Sequence, residues 1–171
     1  GWIFPKRDHL SVGVFTTLPK VKEIKRFFSF YLDRKGLAKN YICRSLVGHR
    51  IPIGGRDEIL NTKRGLLIGD AAGLADPITG EGIYFGLRSG QIAAEVIAQS
   101  LTTDSLLLDE YTQKVKNEII ADFKFASYIA KFFYNLSFFT YNLVRKTNKF
   151  SEAFVRVVVG EQSYSDMFKN I

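Results

Sequence analysis

The sequence predicts an α+β chain, with a sheet in the first half and helices packed from residue 82 onward. Three observations lead there. Short β-branched and aromatic stretches punctuated by Gly and Pro dominate roughly the first 70 residues. Apolar residues at helical spacing dominate roughly the last 90. The two kinds of segment do not alternate as in a complete βαβ fold, so the sheet is antiparallel or mixed and the helices are segregated from it.

Each element follows in chain order. "GWIF" and "LSVGVFT" flank "PKRDH", a strand–turn–strand pattern, and Pro19 ends the strand region. "KVKEIKRFFSFYLDRKG" then spaces Val21, Ile24, Phe27, Phe28, Tyr31 and Leu32 along a helix, with Gly36 placed to stop it. "SLVGHRIPIGG" predicts a short strand broken by Pro52 and closed by Gly54-Gly55. "GLLIGD" is apolar at successive positions, which predicts a strand covered on both faces. The loop "AAGLADPITGEG" leads into a helix reaching about Leu101. From Leu108 to about Lys146, Tyr111, Val115, Ile119, Phe123, Ala126, Ala130 and Phe133 keep helical spacing. A break near Thr147-Asn148 precedes a last short helix around Phe154–Val159.

The bulk numbers bound the function. At 171 residues the chain can bury a respectable core, and it carries no low-complexity tract or repeat. Its net charge of +7 favours anionic partners, or serves as a solvated face. The basic residues are scattered, as in "PKVKEIKR" and "VRKTNK", so no nucleic-acid partner is expected. The single Cys43 excludes an internal disulfide framework and a multi-cysteine metal site, and reads as a small apolar residue. His9 and His49 make no metal-ligand or nucleophilic pattern, so no metal is expected. The uncharged run from Phe132 to Val144 is too short and polar for a membrane span, which needs ~20 apolar residues. No signal peptide is visible, and the opening "GWIFPK" without Met suggests a piece of a longer protein.

"RGLLIGDAAGLADPITGEGIYFGLRSG", residues 64–90, carries the chemistry. Asp70 falls where the apolar run ends, the place where open sheets hold ligands. Ala71, Ala72 and Gly73 let another molecule approach the backbone closely. Pro77 stiffens the loop, and Gly80 and Gly82 leave the first amides of the next helix uncovered. Those amides lack intrahelical partners and carry the positive end of the helix dipole, so an electron-rich group can dock there. Gly86 and Gly90, with Ala94 and Ala98, form a small ridge for close packing against a sheet or another helix. "GEGIYFG" does not match the G-x-G-x-x-G dinucleotide fingerprint. A strand–loop–helix joint with glycines chosen only for packing is the plain alternative.

"GDAAGLADPITGEGI" closely resembles the second flavin-contacting motif of FAD-dependent oxidoreductases of the p-hydroxybenzoate hydroxylase-like superfamily. With "GWIFPK" and "VGV" upstream, the chain looks most like the C-terminal portion of the geranylgeranyl reductase family, which carries a Trp-x-Phe-Pro-Lys element. The resemblance implies FAD as cofactor. Gly69, Asp70, Ala71 and Ala72 would contact it, with Asp70 bonded to the ribityl chain. Pro77, Gly80, Glu81, Gly82 and Ile83 would border the isoalloxazine ring, with the helix amides near N1 and the C2 carbonyl. Trp2, Phe4, Pro5 and Lys6 would line the channel for a long isoprenoid or polyprenyl lipid substrate; from the residues alone, Trp2 and Phe4 read as strand core. Glu81 is assigned no proton transfer, and no catalytic proton donor is identified.

The expected organisation is a substrate-side sheet and helix over 1–64, a flavin-contacting strand–loop–helix over 65–103, and a helical region over 104–171. The family's dinucleotide fold, which grips the ADP half of FAD, is not in these residues, so this portion alone is expected to hold FAD weakly or not at all and to be inactive. The expected activity is reduction of C=C bonds in a geranylgeranyl or related chain, with NAD(P)H or ferredoxin as electron donor. The alternatives are an FAD-dependent monooxygenase or halogenase, and a non-enzymatic lipid- or membrane-binding module. The expected location is cytoplasmic, with peripheral membrane contact through the Phe-rich helix as a further expectation.

Overall fold

The computed structural model describes residues 1–17, 23–39, 42, 45–55, 57–103, 108–136 and 148–169. Pro19, Cys43 and the part of the Phe-rich stretch from 137 to 147 lie outside them. The chain is α+β and divides into two units, residues 1–48 and 49–171.

The first unit is a hairpin and a helix. Strands β1 (Trp2–Pro5) and β2 (Leu10–Gly13) pair antiparallel, with Trp2 opposite Gly13 and Pro5 opposite Leu10. The Lys6 amide donates to His9 O at 2.8 Å and closes the turn that "PKRDH" predicts. Trp2 lies across Gly13 so closely that a Cβ there would stand 2.0 Å from its ring. Helix α1 (Ile24–Arg34) follows, buries Leu32 and ends at Gly36, whose φ of 69° only glycine adopts without strain. Phe4 is not the core residue its strand position suggests: it is 57% exposed, beside Trp2 on one face of the ribbon.

The second unit is built on helices. Strands β3 (Asn61–Thr62) and β4 (Gly65–Leu66) form a two-residue ribbon. The expectation of a doubly covered strand at "GLLIGD" fails here. β4 pairs with β3 alone, and Leu67 and Ile68 are 45% and 46% exposed because no second layer among the described residues covers them. Nor does "SLVGHRIPIGG" make a strand; Ile53 forms one parallel bridge to Ala75, supported by the Gly54 amide on Ala75 O and the Gly55 amide on Gly73 O, both at 2.9 Å.

Helix α2 (Ile83–Thr103) comes next. Helix α3 (Asp109–Val115) then continues through one π turn, Lys116–Ile120, into α4 (Ala121–Asn135). Of the predicted stripe, Tyr111, Val115, Ile119, Phe123, Ala126 and Ala130 are all buried, and the Phe133 side chain lies outside those described. Burying each larger side chain stabilises by about 1.5–3 kcal/mol. Tyr111, Val115, Ile119 and Phe123 meet Leu60, Leu74, Ile92 and Val96 in the main core. Buried Thr112 ties the ribbon to this core, its Oγ1 accepting the Leu60 amide at 3.0 Å and donating to Asn61 Oδ1.

Helix α5 (Asn148–Val158) contains the last helix expected from the sequence and starts earlier. Helix α6 (Tyr164–Lys169) was not anticipated. A second cluster of Ala126, Ile129, Tyr164 and Met167, with Ile78 and Phe154 against it, joins these helices to α4 and to the glycine-rich loop. No helix among the described residues is long and apolar enough to cross a membrane.

Candidate functional site

The site forms where the chain leaves β4. Ile68 is extended, Gly69 turns with φ 53°, and residues Gly69–Ala72 make a 3-10 turn closed by Gly73 at φ 74°. The turn sits closely on α2 because Gly69 has no side chain: a Cβ there would come within 3.2 Å of Gly86 Cα. Buried Ser89 secures it. Its hydroxyl accepts the Gly69 amide at 3.0 Å and donates back to Phe85 O at 2.7 Å. The remainder of the expected small-residue ridge is not used for packing. A Cβ at Gly90 would meet nothing within 4 Å, and Ala94 and Ala98 are exposed.

This turn directs Asp70 at the start of α2. A Cβ on Gly82 would lie 2.9 Å from Asp70 Oδ1, so the carboxylate rests against the bare Gly82 backbone. Asp70 itself is exposed and open to another molecule. Because Gly82 has no side chain to cap the helix, Glu81 performs that task from one position upstream, accepting the Tyr84 amide on Oε1 at 2.8 Å. No hydrogen bond from the Gly82 or Ile83 amide is found among the described residues. The helix therefore presents two free donors and its positive dipole end beside a carboxylate acceptor.

Of the nine positions expected at a flavin, Asp70, Ala71, Glu81 and Ile83 are exposed, and Gly80 and Gly82 partly so. Gly69, Ala72 and Pro77 are buried, and Ala72 belongs to the main core. Among Trp2, Phe4, Pro5 and Lys6, in the first unit, Trp2 and Phe4 stack at 6.4 Å between ring centroids, and Pro5 and Lys6 are exposed.

Sequence reasoning missed Asp76. It is 3% exposed, and its Oδ1 accepts from the Ile78 amide at 2.8 Å, the Thr79 amide at 2.6 Å and Thr79 Oγ1 at 2.9 Å. The Asp-Pro-x-Thr spacing was a legible turn signal, since a side-chain carboxylate there reaches amides two and three residues on. Its partner Tyr164 was not legible: the Tyr164 hydroxyl donates to Asp76 Oδ2 at 2.8 Å from 88 residues away. Arg88 was likewise passed over; one turn inside α2, its Nη2 donates to Glu118 Oε2 at 2.8 Å, and that bond raises the guanidinium pKa.

A planar, electron-rich group fits this arrangement. The Gly82 backbone offers the bare surface, the Gly82 and Ile83 amides offer donors, and Asp70 offers an acceptor for hydroxyls beside them.

Known proteins similar to the chain bear on what that group is. The chain is 40% identical over 147 residues to an uncharacterized protein of Methanosarcina barkeri, covering 84% of this chain and 36% of that one. It is 32% identical over 166 residues to the chloroplastic geranylgeranyl diphosphate reductase of Arabidopsis thaliana, covering 92% and 32%. It is 33% identical over 126 residues to the digeranylgeranylglycerophospholipid reductase of Picrophilus torridus, covering 68% and 30%. The chain thus spans about a third of the length of these curated relatives. No solved structure matches it. The family model described as lycopene cyclase protein matches residues 15–162, and with the reductase matches this shows that the chain belongs to that family, as a portion of the geranylgeranyl reductase kind.

Proposed function

We propose that this chain supplies the ring-facing loop and a substrate-side ribbon of an FAD-dependent reductase with the p-hydroxybenzoate hydroxylase-like fold, acting on C=C bonds of a geranylgeranyl or related isoprenoid chain. The observation that carries the reading is the Asp70 carboxylate set against the bare Gly82 backbone at the start of α2. The family's description names a cyclase, but the Arabidopsis thaliana and Picrophilus torridus relatives are named reductases, and their names favour reduction.

When bound, FAD would supply the hydride chemistry. The chain's own residues would do the rest. Asp70 would accept hydrogen bonds from the ribityl hydroxyls, and the Gly82 and Ile83 amides would donate to the N1 and C2 carbonyl edge. Their positive field favours the form of the ring that carries negative charge there. Gly80 and Gly82 keep that approach free of side chains. Gly69, Ala72 and Pro77, being buried, shape the backbone; Ala71 would contact FAD beside Asp70, and Glu81 and Ile83 would border the ring. Trp2 and Phe4 offer flat apolar contact to an isoprenoid, and Lys6 its charge to a phosphate or carboxylate head.

The test uses the complete product of the gene. Anaerobic incubation with a geranylgeranyl diphosphate or a geranylgeranylated lipid and a chemical reductant should yield a product heavier by two hydrogens per reduced bond, read by mass spectrometry. Turnover only with oxygen, or failure to bind FAD, overturns the reading. Asp70→Asn should weaken FAD binding about tenfold, the scale of one charge-assisted hydrogen bond.

A further inference from the structure

Asp76 ties both ends of the ring-facing loop to one residue. Its amide donates to Glu81 O at 2.7 Å, and its carbonyl accepts the Gly80 amide at 2.9 Å. Its Oδ1 gathers the Ile78 and Thr79 donors, so the side chain organises the middle of the same loop. Its Oδ2 accepts from the Tyr164 hydroxyl at 2.8 Å. A carboxylate this buried keeps its orientation only while each oxygen is satisfied.

Tyr164 is itself held from a third direction. Asp122 on α4 accepts the Tyr164 and Ser165 amides, each at 3.1 Å, and so caps α6. Met167 packs with Ala126 and Ile129, and Ile78 of the loop lies against the same cluster. The route from α4 through α6 to the loop is thus continuous in hydrogen bonds and packing.

We propose that Tyr164 is a positioning residue for the loop 76–82: its hydroxyl orients Asp76, and Asp76 sets the pose in which Gly82 and Ile83 present their amides to a bound group. The inference rests on the flavin reading for the identity of that group and on geometry alone for the positioning. Burial, then the neighbouring Asp76 and Asp122 carboxylates, push the Tyr164 hydroxyl far above the ordinary tyrosine range, so it remains a donor at any physiological pH.

The experiment compares wild type, Tyr164→Phe and Asp122→Ala, the last loosening α6 at its cap without touching Asp76. Amide hydrogen exchange is followed without flavin, and FAD affinity and the visible spectrum of bound flavin are read on the complete gene product. Tyr164→Phe should raise exchange at Ile78, Thr79 and Tyr84 at least tenfold while the α2 core amides stay as in wild type. It should weaken FAD binding three- to tenfold and shift the flavin absorption band. In an Asp76→Asn background the same change should add little, since the two residues act as one unit. Asp122→Ala should speed exchange in α6 first and in the loop less. Wild-type exchange in the Tyr164→Phe loop, or a rise spread evenly over the whole protein, overturns the inference while leaving the flavin reading intact. A wild-type product that binds no FAD overturns the flavin reading instead, because the exchange arm needs no flavin.

Discussion

Gly69 and Gly86 meet backbone to backbone, and the contact is unequal. A Cβ on Gly69 would stand 3.2 Å from Gly86 Cα, whereas one on Gly86 would stand 3.9 Å from Gly69 Cα, an ordinary contact. Gly69 also has a φ of 53°, a left-handed backbone that costs an L-residue roughly 1–2 kcal/mol. Gly69→Ala should destabilise the protein by about 1–3 kcal/mol. Gly86→Ala should be neutral, or stabilising by up to ~1 kcal/mol through helix propensity. Urea unfolding midpoints decide it, and equal effects at the two positions would refute the account.

The next two glycines of interest separate packing from function. Gly90 faces open space, so Gly90→Ala should stabilise by about 0.5–1 kcal/mol. Gly82→Ala would place its methyl 2.9 Å from the mobile end of Asp70, which can swing away at little cost in stability. The swing should nonetheless lower FAD affinity in the complete gene product by about tenfold, the worth of one displaced charge-assisted bond. Calorimetry with FAD, beside thermal melts of both variants, tests the split.

Thr112 should be the most demanding hydroxyl in the core. Thr112→Val keeps the shape but leaves the buried Leu60 amide without its acceptor, at a cost of about 1–3 kcal/mol. Thr112→Ser keeps the oxygen and should recover most of that. If Val and Ser unfold at the same denaturant concentration, the bond is dispensable.

Stability should fall at alkaline pH. Burial raises Tyr111, and burial with the Asp76 carboxylate raises Tyr164, above the ordinary value of 10.0. Above that pH the unfolded chain releases these protons while the folded chain retains them, so the contribution is complete below pH ~10 and is lost as pH climbs beyond it. Denaturant melts between pH 8 and pH ~11 should show the decline, and Tyr111→Phe should make it shallower, with Tyr164 supplying the remainder.

The Arg88–Glu118 bond joins α2 to the π turn at the surface. Because both side chains reach solvent, a double-mutant cycle should give a coupling of no more than about 1 kcal/mol, shrinking with added salt. A coupling that ignores salt would mean the pair is shielded from water.

Local chemistry was legible in the sequence. The hairpin around "PKRDH", helix α1 with its stop at Gly36, and the stripe from Tyr111 to Ala130 follow from turn residues and periodicity, which act over a few neighbours. The meeting of Asp70 with Gly82 was foreseeable in outline, because a turn and a glycine pair lie within one short stretch. Which glycines of the 82–86–90 series touch anything was not foreseeable, nor was the exposure of Leu67 and Ile68, since apolar character reports a wish for burial and not what is present to cover it. The hold of Tyr164 on Asp76 belongs to tertiary structure alone: two polar residues 88 positions apart carry no period, and only the packing of α6 under the loop brings the hydroxyl to the carboxylate.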